Sequence, residues 1–121
     1  MSSSELAHAA AELSLTKKAE DITILNLQGL TSITDYFVIA TGNSDTQVKA
    51  IIDAIRDGLE PEIEPWHVEG YDSLRWVLLD YVDVVVHVFQ RKVRDFYDLE
   101  HLWADAESEI VEEEEEETAN E

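Results

Sequence analysis

Two apolar segments separated by only two residues constrain the fold of this chain more than any other feature. Residues 75–81 and 84–89 are rich in valine and leucine. A two-residue connection between strand-forming segments is typical of a β-hairpin. With Val82 and Asp83 as the turn, this hairpin is predicted to lie within a larger sheet.

The predicted pairing divides the hairpin into two faces of different character. Trp76 lies opposite Phe89, Leu78 opposite His87 and Asp80 opposite Val85. One face is almost wholly aliphatic, as is typical of a sheet face covered by helices: Val77, Leu79, Tyr81, Val84, Val86 and Val88. The other mixes aromatic, aliphatic and ionisable groups, as protein-binding surfaces do: Trp76, Leu78, Asp80, Val85, His87 and Phe89. The alternative is that this second face is solvated, or covered by a helix with His87 hydrogen-bonded inside.

Three segments have the apolar period of helices: residues 1–20, 43–60 and 93–106. In the second, Ser44 and Gln47 are spaced as a capping box, in which each side chain accepts a hydrogen bond from a backbone N–H. In the third, Phe96, Leu99 and Trp103 fall on one face and are expected to be buried.

Further strands are predicted on both sides of the second helix. Residues 21–27 and 35–42 are rich in branched side chains, and residues 66–73 form a weak strand or a loop. Alternating helices and strands with short connections indicate one α+β domain, a mixed β-sheet with helices packed on it.

The chain is strongly acidic, with 28 acidic and 8 basic residues. Only ten of the acids follow Ala104, so 18 acids face 8 bases in residues 1–104. This charge repels phosphates and disfavours direct binding to DNA or RNA, whereas it suits a basic protein partner. Solubility, or adaptation to a salty cell interior, is the alternative explanation.

Residues 107–121 contain six consecutive glutamates and few apolar side chains. They are predicted to form an acidic disordered tail, so that the folded domain spans residues 1–106.

Composition also indicates a cytoplasmic protein that does not enter membranes. The chain has no cysteine, as is common in a reducing compartment. Its N-terminus lacks the basic and apolar regions of a signal peptide. No apolar run approaches the ~20 residues that span a bilayer.

Catalytic and metal-binding patterns are weak. Gly42 and Ser44 form a turn before a helix, as in nucleotidyltransferases, but no closely spaced carboxylate pair on a strand follows it. The four histidines lack the spacing of a zinc site: His8, His67, His87 and His101. We therefore expect no enzyme activity, metal or cofactor. A nucleotide-binding or nucleotidyltransferase-like enzyme that uses the Gly42 and Ser44 turn is the alternative.

Three segments resemble one known family. DYFVIATGNSDTQVKAI (35–51), WVLLDYVDVVVHVF (76–89) and RDFYDLEHLW (94–103) are similar to the ribosomal silencing factor, or Iojap-like, family. The resemblance extends from about residue 5 to 106. It implies a nucleotidyltransferase-like fold that lacks the catalytic carboxylates.

The resemblance also implies a function. Members repress translation when nutrients are short, by binding the large ribosomal subunit through its ribosomal protein number fourteen. They thereby block joining of the small subunit sterically, and they form homodimers when free. The residues onto which this binding role carries over are Trp76, Leu78, Asp80, Asp83, His87, Arg94 and Tyr97. For Tyr97, packing within the fold is the alternative role.

Val82 departs from the family pattern, which commonly has glycine before the turn aspartate. A branched side chain resists the positive φ that a type II′ turn requires at this position. We therefore expect a turn of another type in this chain.

Overall fold

The computed structural model describes residues 1–113 as four helices and six strands. In chain order these are α1 (Ser3–Leu15), β1 (Glu20–Asn26), β2 (Tyr36–Gly42), α2 (Asp45–Leu59), β3 (His67–Glu69), β4 (Trp76–Asp80), β5 (Val84–Gln90), α3 (Arg91–Tyr97), α4 (Leu99–Leu102) and β6 (Glu107–Val111). Within this described range, no helix is long and apolar enough to cross a membrane.

The six strands form one mixed sheet in the order β3–β4–β5–β2–β1–β6. Strands β2 and β5 pair in parallel, and every other neighbouring pair is antiparallel. The parallel pair is joined by a long connection that contains α2, as parallel strands require. The predicted α+β class, a mixed sheet with helices packed on it, is confirmed.

The hairpin of β4 and β5 has the predicted register. Trp76 pairs with Phe89, Leu78 with His87 and Asp80 with Val85. The period-two alternation of side chains accounts for this agreement, because a slip of one residue would expose the aliphatic face.

The hairpin turn is of another type than II′, but it still requires positive φ at Val82. Val82 has φ of +73°, in the left-handed region that a branched residue resists. The N–H of Asp83 donates to the carbonyl of Tyr81 at 2.9 Å, which closes a γ-turn around Val82. The turn is thus of a type other than II′, as expected. The reason given for that expectation is wrong, because the paired strands hold Val82 at positive φ.

Helices α1 and α2 pack on the aliphatic face of the sheet and bury the main core. Every hairpin side chain predicted for this face is at most 4% exposed: Val77, Leu79, Tyr81, Val84, Val86 and Val88. The stripe predicted on α2 lies in the same core: Val48, Ile51, Ile52, Ile55 and Leu59. At 25 cal/mol per Å² of apolar surface, each fully buried branched side chain stabilises the fold by about 1.5–3 kcal/mol.

A smaller cluster lies on the opposite face of the sheet. Leu25, Leu27, Ile39 and Phe89 are buried there, and side chains from α3, α4 and the following turn pack over them. This covering extends over only part of the face, which leaves the turn end of the hairpin accessible.

The start of α2 is capped differently from the prediction. Ser44 Oγ accepts from the N–H of Gln47 at 3.1 Å, as expected. Gln47 Oε1, however, accepts from the N–H of Asn43 at 2.7 Å and not from Ser44. The reciprocal capping box occurs instead in α1, between Ser2 and Glu5.

The single helix predicted over residues 93–106 is two short helices. Asp98 has φ of +48°, and this left-handed residue separates α3 from α4. The break rotates the two segments relative to each other, so Phe96 is 79% exposed while Leu99 and Trp103 pack on the smaller cluster. The expectation that all three share a buried face is wrong for Phe96.

The boundary of the acidic tail also needs correction. Residues 107–111 form β6, which pairs antiparallel with β1. Backbone hydrogen bonds along the free edge of β1 and burial of Val111, which is 9% exposed, favour this strand despite its glutamates. Of the predicted tail, residues 114–121 lie outside the described part.

Candidate protein-binding site

A cluster of exposed apolar side chains surrounds the turn end of the hairpin. Ile33 is 84% exposed, Trp66 is 77% exposed and Val82 is 55% exposed. With Asp80 and Val85 they line a shallow pocket of about 280 Å³, which we call the turn pocket. An exposed apolar patch of this kind is typical of a binding surface.

A second depression, which we call the hairpin cleft, adjoins the turn pocket. It measures about 240 Å³ and shares Ile33, Asp80 and Val85 with that pocket. Its other lining residues are four apolar or aromatic ones, Leu27, Phe37, Leu78 and Trp103, and five polar ones, Thr31, Thr34, His67, Glu69 and His87. The two depressions therefore form one continuous surface.

Backbone hydrogen bonds from distant segments hold this surface together. The N–H of Trp66 donates to the carbonyl of Asp80 at 2.7 Å, which places the tryptophan beside the hairpin. The N–H groups of Asp35 and Tyr36 donate to the carbonyl of Asp83 at 2.9 and 3.2 Å. The loop before β2 is thus fixed against the turn of β4 and β5.

Carboxylates stand at the edge of the apolar surface. Asp80 Oδ1 accepts from the N–H of Val82 at 2.8 Å. Asp83 is exposed in the turn. Glu69 lines the hairpin cleft and contacts His67 at 2.8 Å. These groups give the surface an acidic rim.

His87 is buried at the base of the hairpin cleft, only 4% exposed. The indole Nε1–H of Trp76 donates to His87 Nδ1 at 3.1 Å. Burial lowers the pKa of His87 to about 3, so the ring is neutral at physiological pH. The second hairpin face is thus partly covered, as in the alternative that the sequence left open. The hydrogen-bond partner of His87 is Trp76.

Trp76 lies within an aromatic cluster beneath α3. Its ring centroid is 4.8 Å from that of Phe89 and 4.7 Å from that of Tyr97. Tyr97 itself remains 50% exposed. Trp76 is therefore half-buried, and much of its ring stabilises the packing of α3 on the sheet.

Arg94 is only 5% exposed, and its guanidinium is engaged inside the domain. It donates to Glu100 Oε2 at 2.6 Å, to the carbonyl of Asp21 at 2.5 Å and to Thr41 Oγ1 at 2.8 Å. These bonds connect α3 and α4 to the adjacent strands β1 and β2.

Seven residues were predicted to bind a partner. The structure brings four of them together at the hairpin cleft and its rim: Leu78, Asp80, Asp83 and His87. Trp76 lies behind these four, while Arg94 and Tyr97 lie away from the cleft.

The turn at Gly42 and Ser44 has its own structural explanation. A Cβ on Gly42 would come within 2.9 Å of Val48 Cγ2, so the close approach of β2 to α2 requires glycine. Ser44 caps the helix, and Asp45 places a carboxylate in its first turn. A phosphate there would meet a negative charge and a helix start already capped. Within residues 1–113, no group of three or more histidines and carboxylates is arranged to hold a metal ion.

A wider cleft of about 640 Å³ lies between α1 and β6. Its lining is strongly acidic, with Glu12, Glu109, Glu112 and Glu113, and His8 Nε2 contacts Glu109 at 2.9 Å. The Ser4 carbonyl and Glu109 raise the pKa of His8. It is an open polar groove, less suited than the hairpin cleft to take up apolar groups.

Ile33, Phe37 and Trp66 come from segments other than the hairpin and were not among the predicted site residues. Trp66 alone carried a usable signal, as a large aromatic residue directly after Pro65 and at the start of the weak strand or loop predicted over residues 66–73. Ile33 and Phe37 join the surface only through folding of the chain.

Comparison with known proteins agrees with this architecture. Residues 1–121 match the family described as ribosomal silencing factor during starvation. The ribosomal silencing factor of Bacillus subtilis is 50% identical over 91 residues, which cover 74% of this chain and 77% of that protein. The chain belongs to the ribosomal silencing factor family.

A further relative and a solved structure support the same family assignment. The ribosomal silencing factor of Halalkalibacterium halodurans is 46% identical over 107 residues, which cover 88% of this chain and 92% of that protein. A crystal structure of a protein from Chromobacterium violaceum superposes with a TM-score of 0.83 at 39% identity, covering 86% of this chain and 88% of that one. Ribosomal silencing factors are named as regulators rather than as enzymes.

Proposed function

We propose that this protein represses translation by binding the large ribosomal subunit through ribosomal protein number fourteen. A protein seated there stands where the small subunit docks, so the two subunits cannot join. The repression is steric and involves no reaction. It operates in the cytoplasm when nutrients are limiting. Membership of the ribosomal silencing factor family supports this proposal.

The observation that carries the proposal is the exposed apolar surface with its acidic rim. Ile33, Trp66 and Val82 offer apolar area, while Asp80 and Asp83 offer negative charge beside it. Ribosomal proteins are basic, so the net charge of −20 favours encounter with such a partner. Apolar anchors then hold the complex against dissociation.

The test is co-sedimentation with purified large subunits in a sucrose gradient, followed by addition of small subunits. The protein is expected to migrate with the large subunit and to deplete the joined-ribosome peak. Raising the salt concentration should weaken the binding, since charge contributes to it. Migration only at the top of the gradient would overturn the proposal.

A matched pair of variants locates the contact. Ile33→Asp places a charge in the turn pocket, where the side chain is 84% exposed. Ile110→Asp makes the same change on β6, where the side chain is 70% exposed at the opposite edge of the sheet. Only Ile33→Asp is expected to weaken co-sedimentation, because it removes an apolar anchor from the contact surface. Equal binding by both variants would exclude the hairpin end as the contact surface.

A further inference from the structure

Two buried polar atoms at the hairpin cleft have no hydrogen-bond partner among the described residues: His87 Nε2 and Thr34 Oγ1. His87 is 4% exposed and Thr34 is 6% exposed, and both line the cleft. A buried polar group without a partner is costly, and native structures contain few of them. Their convergence on one cleft indicates that something outside the chain completes their hydrogen bonds.

Trp76 determines which nitrogen of His87 carries the hydrogen. An indole N–H can only donate, so Nδ1 must accept the 3.1 Å bond with its lone pair. The ring is also neutral because it is buried. A neutral imidazole with a lone pair on Nδ1 has its hydrogen on Nε2. His87, which lines the cleft, therefore carries a fixed and buried N–H donor.

The remaining lining determines the shape and polarity of what fits. Leu78, Val85, Phe37 and Trp103 present apolar or aromatic surface. The volume of about 240 Å³ accommodates a protruding apolar side chain. The Phe37 ring lies 4.5 Å from the His87 ring, but an aromatic ring is at most a weak acceptor.

The charge around the cleft identifies the kind of chain that enters it. Glu69 and Asp80 line the cleft, and Asp83 is exposed in the neighbouring turn. A segment with basic residues on either side of an apolar side chain is complementary to this arrangement.

We propose that the hairpin cleft receives one apolar side chain from a basic segment of the partner protein, and that His87 Nε2–H donates to the backbone carbonyl beside it. This inference rests on the proposed function, because it assigns the segment to the large-subunit partner. Trp76 is a positioning residue, which acts by holding the hydrogen on Nε2. Thr34 Oγ1 lies at the same cleft and pairs with a further backbone group of the segment.

The first test compares His87→Leu with the wild-type protein in binding to purified large subunits. Leucine keeps the site apolar and removes the donor, so affinity should fall about tenfold or more, the effect of losing one buried hydrogen bond. Thermal stability is measured in parallel, since leucine removes both the unpaired Nε2 and the Nδ1 that accepts from Trp76. Ile110→Ser, on the far edge of the sheet, serves as the control with unchanged affinity.

The second test reports on His87 in the unaltered chain and so does not depend on how a variant folds. Long-range ¹⁵N spectra of the free protein should show the hydrogen on Nε2. Addition of the isolated ribosomal protein number fourteen should slow exchange of that hydrogen with solvent. In Trp76→Phe, which keeps an aromatic ring but has no N–H, both tautomers should be populated and affinity should fall to an intermediate value.

The outcomes separate the two proposals. If the wild-type protein does not bind large subunits, the proposed function is overturned. If it binds and His87→Leu binds equally well, the inference about the cleft is overturned and the proposed function stands. A hydrogen found on Nδ1 in the free protein would also overturn the inference.

Discussion

Gly70 lies so close to the backbone of Trp76 that no side chain fits between them. A Cβ built on Gly70 would overlap the carbonyl oxygen of Trp76 and come within 3.0 Å of its carbonyl carbon. Gly70 also has φ of +81°, which L side chains rarely adopt. The turn between β3 and β4 therefore requires glycine on two grounds, and it brings the edge strand β3 against the hairpin cleft.

Gly70→Ala should destabilise the fold by more than the ~1–3 kcal/mol that positive φ alone costs. Gly29→Ala is the matched control, because Gly29 has φ of +85° but no atom within 4 Å of the added Cβ. Urea unfolding of both variants measures the difference, which is the cost of the backbone overlap. Equal losses of stability would show that the chain relieves the overlap by shifting β3.

Val82→Gly should stabilise the protein. Val82 has φ of +73° and is 55% exposed, so its removal relieves backbone strain of about 1–3 kcal/mol with little loss of burial. The extra freedom of glycine in the unfolded chain offsets about 0.5–1 kcal/mol of this gain. A net increase of about 1 kcal/mol is expected in urea unfolding. A decrease would mean that Val82 is not strained in this turn.

Thr34→Val should raise stability by about 1 kcal/mol, because it keeps the shape of the side chain and removes a buried hydroxyl without a partner. Thr31 lines the same cleft, but its hydroxyl accepts from the N–H of Ile33 at 3.2 Å. Thr31→Val should therefore give no gain. Thermal melting of the two variants compares them, and an equal shift in both would contradict the assignment of Thr34 as unpaired.

The stability of the protein should depend on the titration of His87. Its pKa is about 3 in the folded state, against about 6.5 in an unfolded chain. Between these values the unfolded chain binds a proton that the folded chain does not, so stability falls as the pH is lowered. The slope from this residue is on the order of 1 kcal/mol per pH unit.

His87→Gln isolates this contribution, since every carboxylate titrates in both proteins. Urea unfolding at several pH values between about 4.5 and 7 should give a flatter profile for the variant. Parallel profiles would indicate that His87 becomes protonated in the folded state.

Strand β6 should contribute to stability although its sequence is acidic. A chain that ends at Ala106 lacks the pairing with β1 and the buried Val111, and a loss of a few kcal/mol is expected. A chain that ends at Glu113 retains the whole strand and serves as the control. Unfolding midpoints distinguish them, and identical midpoints would show that residues 107–111 add nothing to the fold.

Sequence patterns predicted the elements with strong local signals and misplaced those governed by single residues. The hairpin register and the stripe on α2 follow from periods of two and 3.6, which any local window contains. The break of the C-terminal helix at Asp98 was not predicted, because aspartate tolerates the left-handed conformation but does not require it. Residues 107–111 became a strand because β1 offered a free edge.

By itself, the sequence determined the mixed sheet through the order and short connections of its helices and strands. Side-chain alternation determined the pairing of β4 with β5 and the face that α1 and α2 cover. Only the tertiary structure decided that Arg94 is internal, that Trp76 donates to Nδ1 of His87, and that Ile33 and Trp66 meet beside Asp80. These outcomes depend on contacts between segments far apart in the chain. Such contacts form only when the whole chain folds, and no local sequence pattern predicts them.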